Sequence, residues 1–202
     1  MVIAGPTGSG KTVWCQKLLK EHLFTENITG VLYCYGVYQD FYDNFQVSLE
    51  IEFHEGIPSK EKLEQFADGS FKIVVLDDLM SEISNSEEMM NLFTRYCHHL
   101  HISAIFISQN LFVQGKYSRT ISLNTHILVL FENKRDFAQI SFLARQLFPG
   151  QSSFFMEVFE QATDFPFGYL VVDCSPQSHK KIKLRTHIFP SDNKPCVVFL
   201  KK

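Results

Sequence analysis

Polar and apolar positions fall into blocks of two kinds along the chain. Short runs with almost no polar interruption recur at Met1–Ala4, Gly30–Tyr35, Phe71–Leu76, Ser103–Ser108, Ile127–Phe131 and Gly168–Asp173. Continuous apolar runs of this length, rich in Val and Ile, suit strands buried on both faces of a parallel sheet. Leu49–Phe53 alternates instead, as an edge strand does. Helical patterns lie between these runs. One covers Val13–Leu23, and a second covers Ser59–Ala67, with an N-cap serine and a Glu-rich first turn. A third runs from about Glu87 to His99. In the fourth, Asp136–Phe148, the spacing of Ile140, Leu143 and Leu147 is helical and Pro149-Gly150 stops the run. Strand and helix alternating with short breaks predict an α/β fold, a central, mainly parallel sheet flanked by helices. The regular part spans residues 1–174. From Ser175 the chain turns polar and Lys-rich, with Pro190, Asn193 and Pro195, so residues 175–202 are expected to form a loosely attached tail, either an edge strand or a flexible extension.

Composition narrows the picture without redirecting it. A chain of 202 residues is most naturally one domain with a substantial core. The 20 Phe are unusual and are expected to thicken the core or an oligomer interface. Asp, Glu, Lys or Asn breaks every candidate membrane span, and the N-terminus reads as a core strand rather than a secretory signal. Five scattered cysteines without a C-x-x-C pair read as reduced thiols of an intracellular protein. His98, His99 and His101 invite a metal reading, but adjacent side chains point apart and no cysteine has finger-like spacing. The net charge of −3 argues against a broadly basic surface and leaves room for a local basic groove.

The chemistry is concentrated at three places. Gly5–Thr12 reads GPTGSGKT and fits the phosphate-binding loop G-x-x-x-x-G-K-[ST]. Its glycines allow a tight turn that aims N–H groups at phosphate oxygens. Lys11 supplies a mobile charge for the β- and γ-phosphates, Thr12 a hydroxyl for Mg²⁺, and the following helix the positive end of its dipole. Gly5, Pro6, Thr7, Gly8, Ser9, Gly10, Lys11, Thr12 and Val13 form the candidate nucleotide-binding set. The second place is Asp77 and Asp78, which end the apolar run from Phe71. Carboxylates there face the crevice where α/β sheets bind ligands. Asp77 is then the Mg²⁺-side acid, acting through water, and Asp78 orients or deprotonates the attacking water. The third is Gln109, with Asn110 as a weaker candidate. It ends the strand after the acidic one, where additional-strand NTPases carry a γ-phosphate sensor; the plainer alternative is strand termination.

Taken together, the segments GPTGSGKT, VVLDDLM, FTRYCHHLHISAIFISQNLF, RTISLNTHILVLFENKRD, LARQLFP and GYLVVD resemble the DNA-packaging ATPases of the FtsK–HerA superfamily. More narrowly, they resemble the poxvirus-type packaging ATPases of Polinton (Maverick) elements, adintovirus-like viruses and virophages. The resemblance runs from about Val2 to Asp173. The phosphate loop alone is generic. The DDLM, the paired histidines before the sensor strand, the SQNLF and the N-x-R-D make it specific. It implies a RecA-like P-loop NTPase core of the additional-strand type, ATP and Mg²⁺ as cofactors, and a homo-oligomeric ring around double-stranded DNA. Hydrolysis would drive the genome into a preformed capsid, inside the infected or host cell (nucleus or viral factory), with the motor transiently at the capsid or portal vertex. Two departures stand out. The usual N-P-R-D reads Asn133-Lys134-Arg135-Asp136, and the chain starts almost at its first strand, so no N-terminal portal-docking extension is expected in it.

A ring ATPase needs a cation from a neighbouring subunit to neutralise charge developing on the γ-phosphate. Arg95 is the first candidate, because related translocases carry an arginine in this neighbourhood; Arg119 is second and Arg135 third. Any one of these arginines is more often a surface ion-pair residue. DNA contact is expected through Lys and Arg to phosphates, without base readout. Candidate contact regions are a pore loop over Leu111–Arg119, with Phe112 and Lys116, and the tail cluster Lys180, Lys181, Lys183 and Arg185, which also reads as an ordinary solvated strand. Two alternatives remain at this level: a P-loop kinase or other phosphotransferase on a small substrate, and a nucleotide-binding subunit without catalysis. No Arg-rich lid follows Pro149, which weighs against the first; Lys11, Thr12, Asp77, Asp78 and Gln109 occur together, which weighs against the second.

Overall fold

The computed structural model describes residues 1–38, 42, 49–79, 85–112 and 115–201, with the side chains of Met89, Phe93 and Lys180 left aside. Its elements in chain order are β1 (Val2–Ala4), α1 (Lys11–Lys20), β2 (Gly30–Tyr35), β3 (Ile51–Glu55), α2 (Lys60–Phe66) and β4 (Lys72–Asp77). Helix α3 follows in three consecutive pieces, Glu87–Asn91, a π-helical stretch Leu92–Tyr96, and Cys97–His99. Then come β5 (Ile102–Ser108), α4 (Ser118–Leu123), β6 (Ile127–Phe131), α5 (Phe137–Leu147), α6 (Ser152–Thr163), β7 (Tyr169–Asp173), β8 (Leu184–Thr186) and β9 (Val197–Val198).

Among the described residues the strands form one sheet in the order β3-β2-β4-β5-β1-β6-β7-β8-β9. The six strands from β3 to β6 are parallel neighbours, and β7, β8 and β9 continue the sheet antiparallel. The sheet is therefore mainly parallel, as its apolar runs predict. Strand β5 lies between β1 and β4, which is the additional-strand order. In β4 every residue after Lys72 is buried, as a strand flanked by β2 and β5 and covered on both faces requires.

Period-two alternation divides the core into two layers. Ile3, Val31, Tyr33, Ile73, Val75, Ile105 and Ile107 face one side, where α1 contributes Trp14, Leu18 and Leu19. Val2, Leu32, Val74, Leu76, Ala104 and Phe106 face the other, against Leu63 of α2, Leu92 of α3, Ile140 and Leu143 of α5, and Phe155 and Phe159 of α6. The element boundaries move slightly from expectation: α1 ends at Lys20, and the edge strand is Ile51–Glu55. Helix α6 is a new element.

Of the two forms expected for the C-terminal segment, edge strand and flexible extension, it takes the first, and it is more firmly held than a loose tail. Leu184–Thr186 pairs with β7 and Val197–Val198 with β8. Between them Phe189, 1% exposed, packs its ring 5.2 Å from Trp14 and 6.0 Å from Tyr169. Lys17 of α1 pairs with Asp192, and Glu21 accepts from Ser191. A few buried apolar residues in a polar stretch thus fasten residues 184–198 onto the helix that carries the phosphate loop.

Candidate nucleotide site

The crevice lies at the C-terminal edge of the parallel strands, where β1, β4 and β5 end side by side. Gly5 N donates to Ser108 O at the end of β5 (3.2 Å), tying the loop to the strand that leads into Gln109. Gly8 and Gly10 take positive φ (79° and 95°), which lets the loop curl back over the start of α1. Gly10 is the N-cap of α1 and offers no side-chain acceptor, so the helix's first N–H groups are left for an anion. Ser9 Oγ is buried and has no hydrogen-bond partner among the described residues, an acceptor or donor held ready inside the loop. Lys11, only 9% exposed, folds back to donate to Gly5 O (2.7 Å) and Pro6 O (2.9 Å). Burial holds its ammonium below the ordinary lysine value, and the charges of Asp77 and Asp78 partly offset this.

Opposite the loop, Asp77 ends β4 and is only 4% exposed. Its Oδ2 accepts from Tyr33 Oη of β2 (2.6 Å) and, at 3.4 Å, from Thr12 Oγ1. Burial raises the Asp77 pKa above the usual carboxylate range, and the neighbouring Asp78 charge adds to this. The Tyr33 hydrogen bond, Lys11 and Thr12 act the other way. Burial and the Asp77 charge push the Tyr33 hydroxyl far up, so it remains a donor. Around Tyr33, Tyr42 (5.2 Å) and Phe53 (5.6 Å) close an aromatic wall over the carboxylate.

Asp78 sits one residue past the strand in left-handed backbone (φ 55°), which swings its side chain to the crevice. This turn passes so close to β2 that a Cβ on Gly36 would meet Asp78 O at 3.0 Å. Asp78 Oδ1 accepts from Gln109 Nε2 (3.1 Å), so the proposed base and sensor touch directly. Asn110 is tied to Ser108 through its backbone, its N donating to Ser108 Oγ and its O accepting from it.

The structure thus brings together the phosphate loop, Lys11, Thr12, Asp77, Asp78 and Gln109, while Val13 stands 59% exposed on the first turn of α1. The arginines lie elsewhere. Arg95 is exposed, late in α3, a helix that runs from the crevice edge of the sheet towards the opposite edge. Arg119 is exposed in the first turn of α4, on the crevice side after β5. Neither makes a hydrogen bond or ion pair among the described residues. Arg135 lines the cleft beside Pro6–Ser9. In the candidate pore loop, Phe112 packs edge-on against Phe142 at 5.3 Å, Lys116 is exposed, and residues 113 and 114 lie outside the described set. Of the tail cluster, Arg185 is engaged by Asp173 at 2.9 Å. Among the described residues no cluster of three or more His, Cys, Asp or Glu could hold a metal by itself, and no helix is long and apolar enough to cross a membrane.

Two site residues escape the sequence reading. Tyr33 hides in an apolar strand and its partner is 44 residues away. Gln139 Oε1 accepts from Leu111 N (2.9 Å) and Phe112 N (3.1 Å), anchoring the chain just after the sensor, while its Nε2 donates to Asp136 Oδ2 (2.5 Å). Asp136 in turn caps α5 through Gln139 N. The signal for Gln139 was present as D-x-x-Q, the capping-box spacing.

The group that Thr12 and Asp77 would hold is a hard, oxygen-liganded cation, and a hydroxyl beside a buried carboxylate at the mouth of a phosphate loop fits Mg²⁺. Comparison with known proteins bears on the fold and the family. The genome packaging NTPase B204 from Sulfolobus turreted icosahedral virus 2, in complex with AMP, is similar in fold with a TM-score of 0.61 and 11% identity, over 92% of this chain and 95% of that one. Its ATP-gammaS complex gives 0.57 at 10% identity over the same shares. B204, the DNA-packaging ATPase from Sulfolobus turreted icosahedral virus, gives 0.61 at 12%, again over 92% and 95%. No curated protein sequence matches. The family model described as "Poxvirus A32 protein" matches residues 1–134, from β1 through the phosphate loop, the acidic strand and Gln109 to the turn after β6. The fold is that of a P-loop NTPase, and the chain belongs to the poxvirus A32 protein family.

Proposed function

We propose that this protein is the ATP-hydrolysing subunit of a viral genome-packaging motor, working as a homo-oligomeric ring that translocates double-stranded DNA into a capsid. The observation that carries the reading is the direct Gln109–Asp78 contact on adjacent strands, facing a phosphate loop whose Lys11 and Thr12 stand against Asp77. The solved packaging NTPases of like fold, including one bound to ATP-gammaS, support nucleotide as the substrate.

The chemistry follows from the residues. N–H groups of the loop and of the α1 N-terminus receive the phosphates, and Lys11 leaves the Gly5 and Pro6 carbonyls to meet them. Thr12 and Asp77 are the residues that would hold Mg²⁺. A divalent cation held there would supply positive charge against the phosphates. Asp78 accepts a proton from the attacking water, and Gln109 holds that carboxylate in place. As the water oxygen bonds to the γ-phosphorus, the bridging P–O bond breaks and ADP leaves. Arg95 and Arg119, exposed and unpaired among the described residues, are candidates for the cation a neighbouring subunit lends. DNA is gripped at its phosphates, without sequence readout. The motor acts inside the infected cell, where capsids are filled.

The test is ATP turnover by the purified chain with and without long double-stranded DNA, alongside its mass in solution. Turnover that rises with DNA in an assembly larger than a monomer is expected. Turnover indifferent to DNA in a monomer would point instead to a small-substrate phosphotransferase. Lys11→Ala is expected to lower turnover by at least about a hundredfold, and so is Asp78→Asn, the loss of a general base costing on the order of 10²–10⁴.

A further inference from the structure

Phe167 is the residue whose placement packing does not explain. The residue is 69% exposed, although its backbone is held at φ 61°, a conformation that disfavours a bulky side chain. The turn around it is rigidly built. Gly168 N donates to Phe165 O (2.9 Å), and a Cβ on Gly168 would meet Ala162 O at 2.8 Å, so no other residue fits there. Phe165 stacks on His187, ring centroids 5.0 Å apart and planes 17° from parallel. The turn therefore presents Phe167 outward rather than letting it stray.

Where it points is informative. A Cβ on Gly10, the last glycine of the phosphate loop, would lie 3.1 Å from Phe167 Cδ1. The ring also lines a cleft of about 1330 Å³ that runs along Pro6–Ser9 of the same loop. Val13, the other exposed apolar side chain of the loop region, stands one turn further along. A nucleotide with its phosphates on Gly8–Thr12 sends the rest of the molecule out past Gly10 and Val13. A planar aromatic base there meets an exposed ring already locked in place.

We propose that Phe167 is the stacking platform for the base of the bound nucleoside triphosphate, with Val13 as its apolar neighbour. The inference rests on the nucleotide-binding reading above and adds to it a residue contributed by the α6–β7 turn. Stacking on an aromatic ring needs no particular hydrogen-bonding edge, so the platform serves affinity rather than choice of base.

The test measures binding of ATP and of inorganic tripolyphosphate to the full chain. Tripolyphosphate engages only the loop. In Phe167→Gly, ATP binding is expected to weaken about tenfold, the order that one base–aromatic stack contributes, while tripolyphosphate binding is unchanged. The same variant is expected to melt no lower than wild type, because glycine adopts φ 61° without strain. Phe167→Trp is expected to bind ATP well and to lose indole fluorescence with ATP but not with tripolyphosphate. The chain has a single other tryptophan, the buried Trp14, as background. ATP affinity unaltered in Phe167→Gly, or an equal loss for both ligands, would overturn the platform. Wild-type protein that binds neither ligand would overturn the nucleotide reading, and the platform with it.

Discussion

Asp77 shows how single contacts tune this site. Its burial favours the neutral form, yet the role proposed for it beside Mg²⁺ requires the anion, and Tyr33 Oη supplies the hydrogen bond that pulls the balance back. Two consequences follow, of opposite sign for stability and for activity. A carboxyl whose folded pKa is raised contributes stability at low pH that is lost as pH rises through that value. Asp77→Asn is therefore expected to raise the thermal midpoint of the ligand-free protein at neutral pH, the gain shrinking under acid, while abolishing turnover. Melting curves across pH check this, and a lower midpoint at neutral pH would contradict the assigned burial cost. Tyr33→Phe removes the contact that lowers the Asp77 pKa. Its acid limb in kcat/KM is expected to move to higher pH, since ionised Asp77 then appears later. An unmoved limb would detach Tyr33 from the chemistry.

Between elements, the link from sensor to α5 carries the next prediction. Gln139 is the common acceptor for Leu111 N and Phe112 N, and Asp136 holds Gln139. Gln139→Ala leaves both N–H groups without that acceptor, at a cost of about 1–3 kcal/mol if they stay dry. Urea unfolding should show the loss, and kcat should fall more than ATP affinity, because Gln109 lies on the freed stretch. Gln139→Glu keeps an acceptor for both N–H groups but sets a carboxylate against Asp136, so partial rescue is expected. Loss of ATP affinity equal to that of kcat would place Gln139 outside the sensor's support. This link also shows what is readable in a sequence. The phosphate loop, the β4 run and the Asp136 cap are local patterns, and each stands where its pattern predicts. Helix α6 was not legible. Phe154, Phe155, Val158 and Phe159 are strand formers by propensity, and the cap residue Gln151 makes no side-chain bond. Burial of Phe155, Val158 and Phe159 against the sheet outweighs that preference. The Tyr33–Asp77 and Gln139–Leu111 contacts join residues far apart in sequence, so no window of residues contains them.

At the scale of the molecule, the sheet extends well beyond the strands that hold the site, and the extension bears on α1. Strands β7 to β9 add an antiparallel flank whose last connection crosses to the α1 layer. Phe189 fills the space between Trp14 and Tyr169, Lys17 Nζ lies 4.8 Å above its ring, and Asp192 takes up the Lys17 charge. Two short strands in a polar stretch carry little pattern of their own, because the free edge of β7 and the Trp14 face decide where they lie. Helix α1 is thus clamped between the sheet and residues 188–192, and with it the N–H groups that face the phosphates. Removing the Phe189 ring is expected to cost about 3–5 kcal/mol, the usual range for a buried Phe→Ala change, readable as a lower urea midpoint. If the clamp matters for function, the surviving folded Phe189→Ala protein will also bind tripolyphosphate more weakly, since α1 and its loop lose their backing. Lys17→Met serves as the comparison, keeping apolar length over Phe189 while deleting the ion pair. That pair is only partly buried, so the variant should lose less than about 1 kcal/mol. Equal losses in the two variants would mean that charge rather than the aromatic plug fastens the C-terminal segment to the nucleotide site.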